Sequence, residues 1–372
     1  MKNTKPIVIL IIACSMYLAL GMFNAAIGPV LGELAVNTGT TPALVGGVLT
    51  FLFLGSLAAT LVAGPIIDRF GLRLVLLVSL LLVAVGLPAV VSIRSYPLML
   101  ALVLITGVGQ GGVDLSANLM VSAAYPKNTT PMLNLLHFFF GLGAFFGPAL
   151  VGLAIAVTGS GMVIHWIAAG VFLAVGILVF TLRADKHPAL PRTNQPSEEV
   201  NNGRSIYLSP FLWGIGLLIL IYVGVEFGLG SWATRYMALT AQMPDQNGAL
   251  VTSAYWGALT LGRLAGVASS RRFSRANLLA ISLSGSLIGT LGLILSRGLV
   301  TPTIIFFVLT GFSFGTVYQK RYATGLNLAG RQGWLPRPLS SWEIILANVI
   351  ISGVLWLTVT FATAPTRREH LV

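Results

Sequence analysis

Long apolar stretches broken by short polar turns run through most of the chain. They lie at about 7–31, 41–67, 73–93, 97–123, 131–158 and 162–182, then at about 207–235, 247–269, 277–296, 301–318 and 343–362. Each is close to the ~20 residues a helix needs to cross a bilayer, and none alternates as a barrel strand would. Helices therefore satisfy the backbone inside the membrane. One long polar segment, 184–206, is rich in Pro, Asn and charge and reads as a linker. It separates an N-terminal half, 1–183, with six spans from a C-terminal half, 207–372, with five.

Composition narrows the class. Hydrophobic residues make up 56% of the chain and charged residues 9%. A soluble domain cannot cover itself with so few charges, so an all-α polytopic membrane protein in contact with the lipid bilayer is expected. The net charge of +12 would suit a nucleic-acid binder, but the charges sit in the turns between spans. Lys2, Lys5, Arg69, Arg73, Lys127, Arg183, Lys186, Arg192, Arg204, Arg271, Arg272, Arg275, Lys320, Arg321, Arg331 and Arg337 fall on one side, and Arg94, Arg235 and Arg297 on the other. By the positive-inside rule the N-terminus and the linker are cytoplasmic, and no nucleic-acid partner is implied. A multi-pass protein of the plasma membrane, the inner membrane in a bacterium, is expected. The single cysteine, Cys14, excludes an internal disulfide framework. No metal-ligand spacing or enzymatic nucleophile arrangement stands out. Gly107-x-Gly109-x-x-Gly112 matches a dinucleotide fingerprint only by letters, since no strand precedes it.

The halves repeat. An offset of about 202 lays Gly55, Gly64, Arg69 and Arg73 over Gly257, Gly266, Arg271 and Arg275. It also sets Asn24 against Glu226, and Thr316 against Asp114. Two halves in parallel repeat imply a solute site at mid-membrane depth.

Candidate chemistry concentrates on two acids within spans, Asp114 and Glu226. Gln110, Asp114 and Asn118 are four apart and share a helix face. An intramembrane carboxyl is costly unless it faces a polar interior, which makes it a functional candidate. If its exposure changes, it can accept a proton on one side of the membrane and release it on the other. Asp114 is the expected main proton carrier. Glu226 is either a second proton or substrate group beside Tyr222, or is locked to Arg263 in the next span. Asn24, Asn134 and His137 add donors and acceptors of the kind a polyol needs once its hydroxyls leave water. Trp232 and Trp256 are candidate stacking surfaces for a sugar, or interface anchors. Gly107 and Gly111 mark close helix packing, as do Gly143, Gly147 and Pro148 in the fifth span.

With these residues in view, the chain resembles the major facilitator superfamily. The turn Gly64-Pro-Ile-Ile-Asp68-Arg69-Phe-Gly71-Leu-Arg73 is similar to that superfamily's signature between its second and third helices. The resemblance implies a fold of two six-helix halves. It also implies a cytoplasmic gate of Gly64, Asp68, Arg69, Gly71 and Arg73, with Arg271 and Arg275 at the repeat positions. Within the superfamily the chain is most like the fucose/glucose:proton symporter branch. The segments Asp114-Leu-Ser-Ala-Asn118, Asn134-Leu-Leu-His137, Tyr222-Val-Gly224-Val-Glu226 and Trp256-Gly257 through Gly262-Arg263 carry that likeness. It implies proton-coupled uptake of a sugar or similar small polar solute by a monomer, with protons as coupling ion and no cofactor. The chain departs from the pattern after Gly315. Tyr318-Gln319-Lys320-Arg321 is polar, and 325–338 has no spanning pattern, so the C-terminal half is expected to be incomplete, with about 11 spans in all. A truncated or frame-altered end would account for this. The alternatives are a proton-coupled drug or metabolite exporter, suggested by the glycine-proline run of the fifth span, and a non-transporting remnant.

Overall fold

The computed structural model describes residues 5–181, 210–269, 272–273 and 275–328. The linker at 184–206, Arg271 and the apolar run at 343–362 lie outside them. The described residues form helices and no strand. In chain order these are α1 (Pro6–Thr38), α2 (Pro42–Val45), α3 (Gly47–Phe70), α4 (Leu72–Ser92), α5 (Tyr96–Ala124), α6 (Thr129–Thr158) and α7 (Val163–Thr181). The chain resumes with α8 (Pro210–Ala241), α9 (Asp245–Ser269), α10 (Arg275–Leu295) and α11 (Val300–Leu328).

Two compact units emerge. The first holds α1–α7 together with Ala233–Ser253, and the second holds the remainder of α8 and α9 with α10 and α11. In the first unit, six apolar helical segments have membrane-crossing length, with α2 and α3 forming one of them. Their outward side chains are apolar: Leu61 is 72% exposed and Phe180 69%. Such a surface belongs in hydrocarbon, where it loses nothing by being uncovered.

Local chemistry sets the helix ends. Pro6 opens α1 at a position where its missing N–H costs no hydrogen bond. Gly71, at φ +85°, turns the chain between α3 and α4 and donates its N–H to Ile67. A residue with a Cβ is strained there, which explains the glycine in that short polar turn. The α6–α7 turn is held to α1 by Glu33, whose carboxylate accepts from the Ser160 hydroxyl at 2.7 Å and the Gly161 N–H at 2.6 Å.

Small residues set how closely the helices approach. Gly107 and Gly111 lie against the backbone carbonyls of Leu52 and Ser56, so α5 meets α3 with no room for a Cβ. Gly143 and Gly147 do the same for α6 against Leu18 and Met22 of α1. Without water in the surroundings, such close contact is a main source of helix association. Pro148 lies inside α6, one residue beyond this contact. The second unit repeats the device: Gly311 and Gly315 of α11 lie against Tyr255 and Leu259 of α9.

One helix runs further than the apolar pattern predicted. The apolar run ends near 318, yet α11 continues to Leu328 through Gln319, Lys320 and Arg321. Helix formation does not need apolar side chains, and Gln, Lys, Arg, Ala and Leu are all good helix formers. Polarity ended the span signal without ending the helix.

Candidate functional site

In the first unit, the polar residues gather where α1, α5 and α6 meet. Asp114 lies on α5 within a helix of otherwise apolar character. Its side chain is exposed rather than packed away, so it stands at an accessible face of the unit. The Tyr17 hydroxyl, from α1, donates to Asp114 Oδ1 at 2.6 Å. Asn118 Nδ2 donates to the Tyr17 oxygen at 2.5 Å, and also to the Asp114 backbone carbonyl at 2.9 Å. The bonds form a directed chain from amide to phenol to carboxylate. His137 of α6 presents its ring edge-on to Tyr17, with centroids 5.5 Å apart.

The apolar pattern of the first span does not single out Tyr17, whose ring reads as one more hydrophobic position. A signal was present: Tyr17 and Asn24 are seven apart, two turns along one face of the first span.

The other candidates of this half occupy different settings. Gln110 is buried at 8% exposure, and its Oε1 has no hydrogen-bond partner. A buried acceptor without a donor is costly. Asn24 is buried and donates to the Leu20 carbonyl one turn earlier, at 2.8 Å. Asn134 is exposed on α6.

The second unit's acid is arranged differently. Glu226 of α8 is 2% exposed, and its Oε1 lies 3.0 Å from Arg263 Nη2 of α9 in a hydrogen-bonded ion pair. Tyr255 donates to the Glu226 backbone carbonyl at 2.9 Å. Tyr222 donates to the Phe314 carbonyl at 2.6 Å and meets the Phe314 ring edge-on. Trp256 is 1% exposed, packed edge-on to Phe227 and Tyr255 and close against Gly230, with its indole N–H lacking a partner. Trp232 is half-buried one turn further along α8 from Gly228.

At the α3–α4 turn, Asp68 and Arg69 are exposed, and the Arg69 guanidinium lies 5.2 Å from the Phe70 ring centroid. Arg73 donates to the Phe180 carbonyl of α7 at 2.5 Å. Gly64 has open space where a Cβ would point. Arg275 opens α10. Among the described residues, no three His, Cys, Asp or Glu side chains cluster in a way that would hold a metal ion.

Comparison with known proteins gives one family. The profile described as Major Facilitator Superfamily matches residues 10–333. The human Sodium-dependent glucose transporter 1 is 24% identical over 313 residues, covering 76% of this chain and 60% of that protein. The mouse Sodium-dependent glucose transporter 1A is 23% identical, covering 75% and 73%. The chain thus spans about 60% of the human relative's length. Among solved structures, a D-xylose-proton symporter superposes with a TM-score of 0.66 at 15% identity, covering 98% of this chain and 91% of that one. The E. coli fucose:proton symporter gives 0.55 at 18% identity, covering 98% and 100%. The nucleoside transporter NupG gives 0.66 at 14% identity, covering 96% and 87%. These likenesses establish the fold.

Proposed function

The chain belongs to the major facilitator superfamily, and from that premise we propose that it is a secondary active transporter coupling proton entry to uptake of a sugar or similar small polar solute. The observation that carries this reading is the Tyr17–Asp114–Asn118 cluster. It is a carboxylate at mid-span, accessible at the surface of its unit and held by neutral donors instead of a cation. Among the described residues no Lys or Arg pairs with that charge, so binding and release of a proton are the direct means of changing it. An intramembrane carboxyl of this kind is a proton-relay candidate on physical grounds alone.

A polar solute is supported by the surrounding side chains. The unpaired Gln110 Oε1 would accept from one hydroxyl, and exposed Asn134 offers both donors and an acceptor. Sites that hydrogen-bond each hydroxyl reject analogues lacking one, because a buried partner is then left unpaired. The names of the relatives, glucose and xylose transporters among them, agree with this class. Protonation of Asp114 would prepare the site for solute, and rocking of the halves would expose both to the other side. Asp68, Arg69 and Arg73 would act at the cytoplasmic gate. The loop charges support an N-terminus and linker in the cytoplasm; a monomer in the plasma membrane, the inner membrane of a bacterium, is part of the same proposal.

The test is uptake into proteoliposomes under an imposed pH gradient, with labelled D-glucose, D-xylose and L-fucose as probes. The wild type concentrates at least one of them. Asp114→Asn abolishes concentrative uptake while retaining exchange of substrate across the membrane. Undiminished accumulation by Asp114→Asn removes the assignment. A second reading, sodium coupling, comes from the names of the mammalian relatives. A sodium gradient at equal pH drives accumulation in that case alone.

A further inference from the structure

Helices α3 and α4 pack mainly on α5 and little on each other. The glycine-rich run of α5 sets this arrangement. Gly107 and Gly111 lie against the backbone of α3, whereas Gly109 and Gly112 lie against Leu82 and Ser79 of α4. One short run thus seats a helix on each of two faces and holds the pair apart. Between them lies a groove of about 320 Å³, walled by Val62, Ile66 and Phe70 of α3 and by Leu74 and Val78 of α4, with buried Gly112 behind them. All five wall side chains are exposed, so the groove opens outward. Its apolar walls offer water no partners, and hydrocarbon suits them.

The groove has a length and a charged end. On α3 it runs from Phe70, at the α3–α4 turn, to Ala59, eleven residues away. That is about 16 Å of helix. A hydrocarbon core about 30 Å thick has leaflets of about 15 Å each, so the groove spans one leaflet. At the turn, the exposed Arg69 guanidinium lies 5.2 Å from the centroid of the Phe70 ring, which is itself a wall of the groove. Arg73 is tied to the Phe180 carbonyl of α7 and adds a second positive charge, against one carboxylate in the turn, Asp68. The loop charges put this end on the cytoplasmic side. Anionic lipids are held in that leaflet.

We propose that the α3–α4–α5 groove binds one anionic phospholipid of the cytoplasmic leaflet, with an acyl chain along the apolar walls and the phosphate on Arg69. A guanidinium presents paired N–H groups that match two phosphate oxygens, and the Phe70 ring holds it at the groove's mouth. The groove does not use Asp114 or the polar residues around it, so this assignment stands apart from the proton and solute readings.

Native mass spectrometry of the purified full chain, titrated with phosphatidylglycerol or with phosphatidylcholine of the same acyl chains, is the test. The wild type is expected to retain one phosphatidylglycerol at about tenfold lower lipid concentration than phosphatidylcholine. Arg69→Gln makes the two lipids equal while still retaining one. Val62→Trp with Val78→Trp fills the groove and removes retention of both, and Ile66→Trp alone serves the same purpose if that pair does not fold. Leu61→Trp, at a position 72% exposed and outside the groove, behaves as the wild type. Undiminished retention in the groove-filling variants overturns the site, as does an equal loss in Leu61→Trp. Phosphatidylethanolamine carries the same phosphate with a compensating amine. If it is retained as tightly as phosphatidylglycerol, or if Arg69→Gln keeps the tenfold preference, the assignment of an anionic lipid to Arg69 fails.

Discussion

Asp114 and Glu226 are the deep acids of the two halves, and their partners differ in kind. Asp114 is exposed and receives a phenol hydrogen and, through it, an amide. Glu226 is buried and meets a guanidinium at 3.0 Å, with Tyr255 fastening its backbone carbonyl. A neutral donor stabilises a carboxylate without balancing its charge, so a proton gained there would remove a charge that no paired cation offsets. An ion pair already balances the charge, and gaining a proton would strand the cation. On the proposed function, a change of charge is expected at Asp114 before Glu226.

The largest effect that would break this contrast is on transport. With the substrate identified in proteoliposomes, Asp114→Asn is expected to remove concentrative uptake, whereas Glu226→Gln retains a pH-driven gradient at reduced protein stability. Equal loss of coupling in both variants would make the two acids equivalent and end the distinction.

Next in size is the stability of the ion pair. Arg263→Leu leaves a buried carboxylate unpaired, and removing one partner of such a pair costs about 3–5 kcal/mol. Removing both, with Glu226→Leu and Arg263→Leu together, is expected to recover most of that loss, because no charge is then stranded. Thermal unfolding of the four proteins reads the difference. If the double variant is as unstable as the single one, Glu226 has a role beyond the pair.

Packing offers a smaller and symmetrical effect. Gly107 and Gly111 pair with Leu52 and Ser56, and Gly311 and Gly315 with Tyr255 and Leu259. The glycines of the halves are related by an offset of 204 and their partners by 203. Gly107→Ala and Gly311→Ala are each expected to cost about 1–3 kcal/mol, since both place a Cβ onto a backbone carbonyl. Matched losses in thermal unfolding would show two halves alike in construction and unlike in chemistry.

That offset also shows what the sequence could and could not reveal. Matching letters suggested about 202, which set Thr316 opposite Asp114. The packing register places 318 there instead. Letters align motifs, but close contact is decided by which glycine meets which carbonyl, and that requires the partner helix. The helices themselves were legible, because continuous apolar runs have few other solutions: 131–158 became Thr129–Thr158, and 97–123 became Tyr96–Ala124. The α11 extension was not legible, since hydropathy reports burial in lipid and not helix formation. Within the site, spacing placed Gln110, Asp114 and Asn118 on one face. Yet each four-residue step turns about 40° around the helix, so one stripe leads from buried Gln110 to exposed Asp114. Spacing left Glu226 as a proton or substrate group or as a lock to Arg263, and the structure brings the two side chains to 3.0 Å. Tyr17 was hidden because its hydroxyl acts through neighbours 97 and 101 positions away.

The smallest expected effect is also the most discriminating, because the same atom is removed on both sides. Tyr255→Phe deletes a hydroxyl that donates to a backbone carbonyl of Glu226. Such a bond inside a membrane protein is worth about 0.6 kcal/mol on average, and the carbonyl retains its helical partner. A backbone acceptor does not titrate, so the loss should be the same at every pH and leave coupling intact. Tyr17→Phe deletes a hydroxyl aimed at a carboxylate, and its effect should follow pH through the state of Asp114. Thermal unfolding of both variants across pH tests this: a constant small loss for Tyr255→Phe and a pH-dependent one for Tyr17→Phe. Parallel profiles would mean that Asp114 does not change state in this range, and the contrast between the two acids would then lose its physical basis.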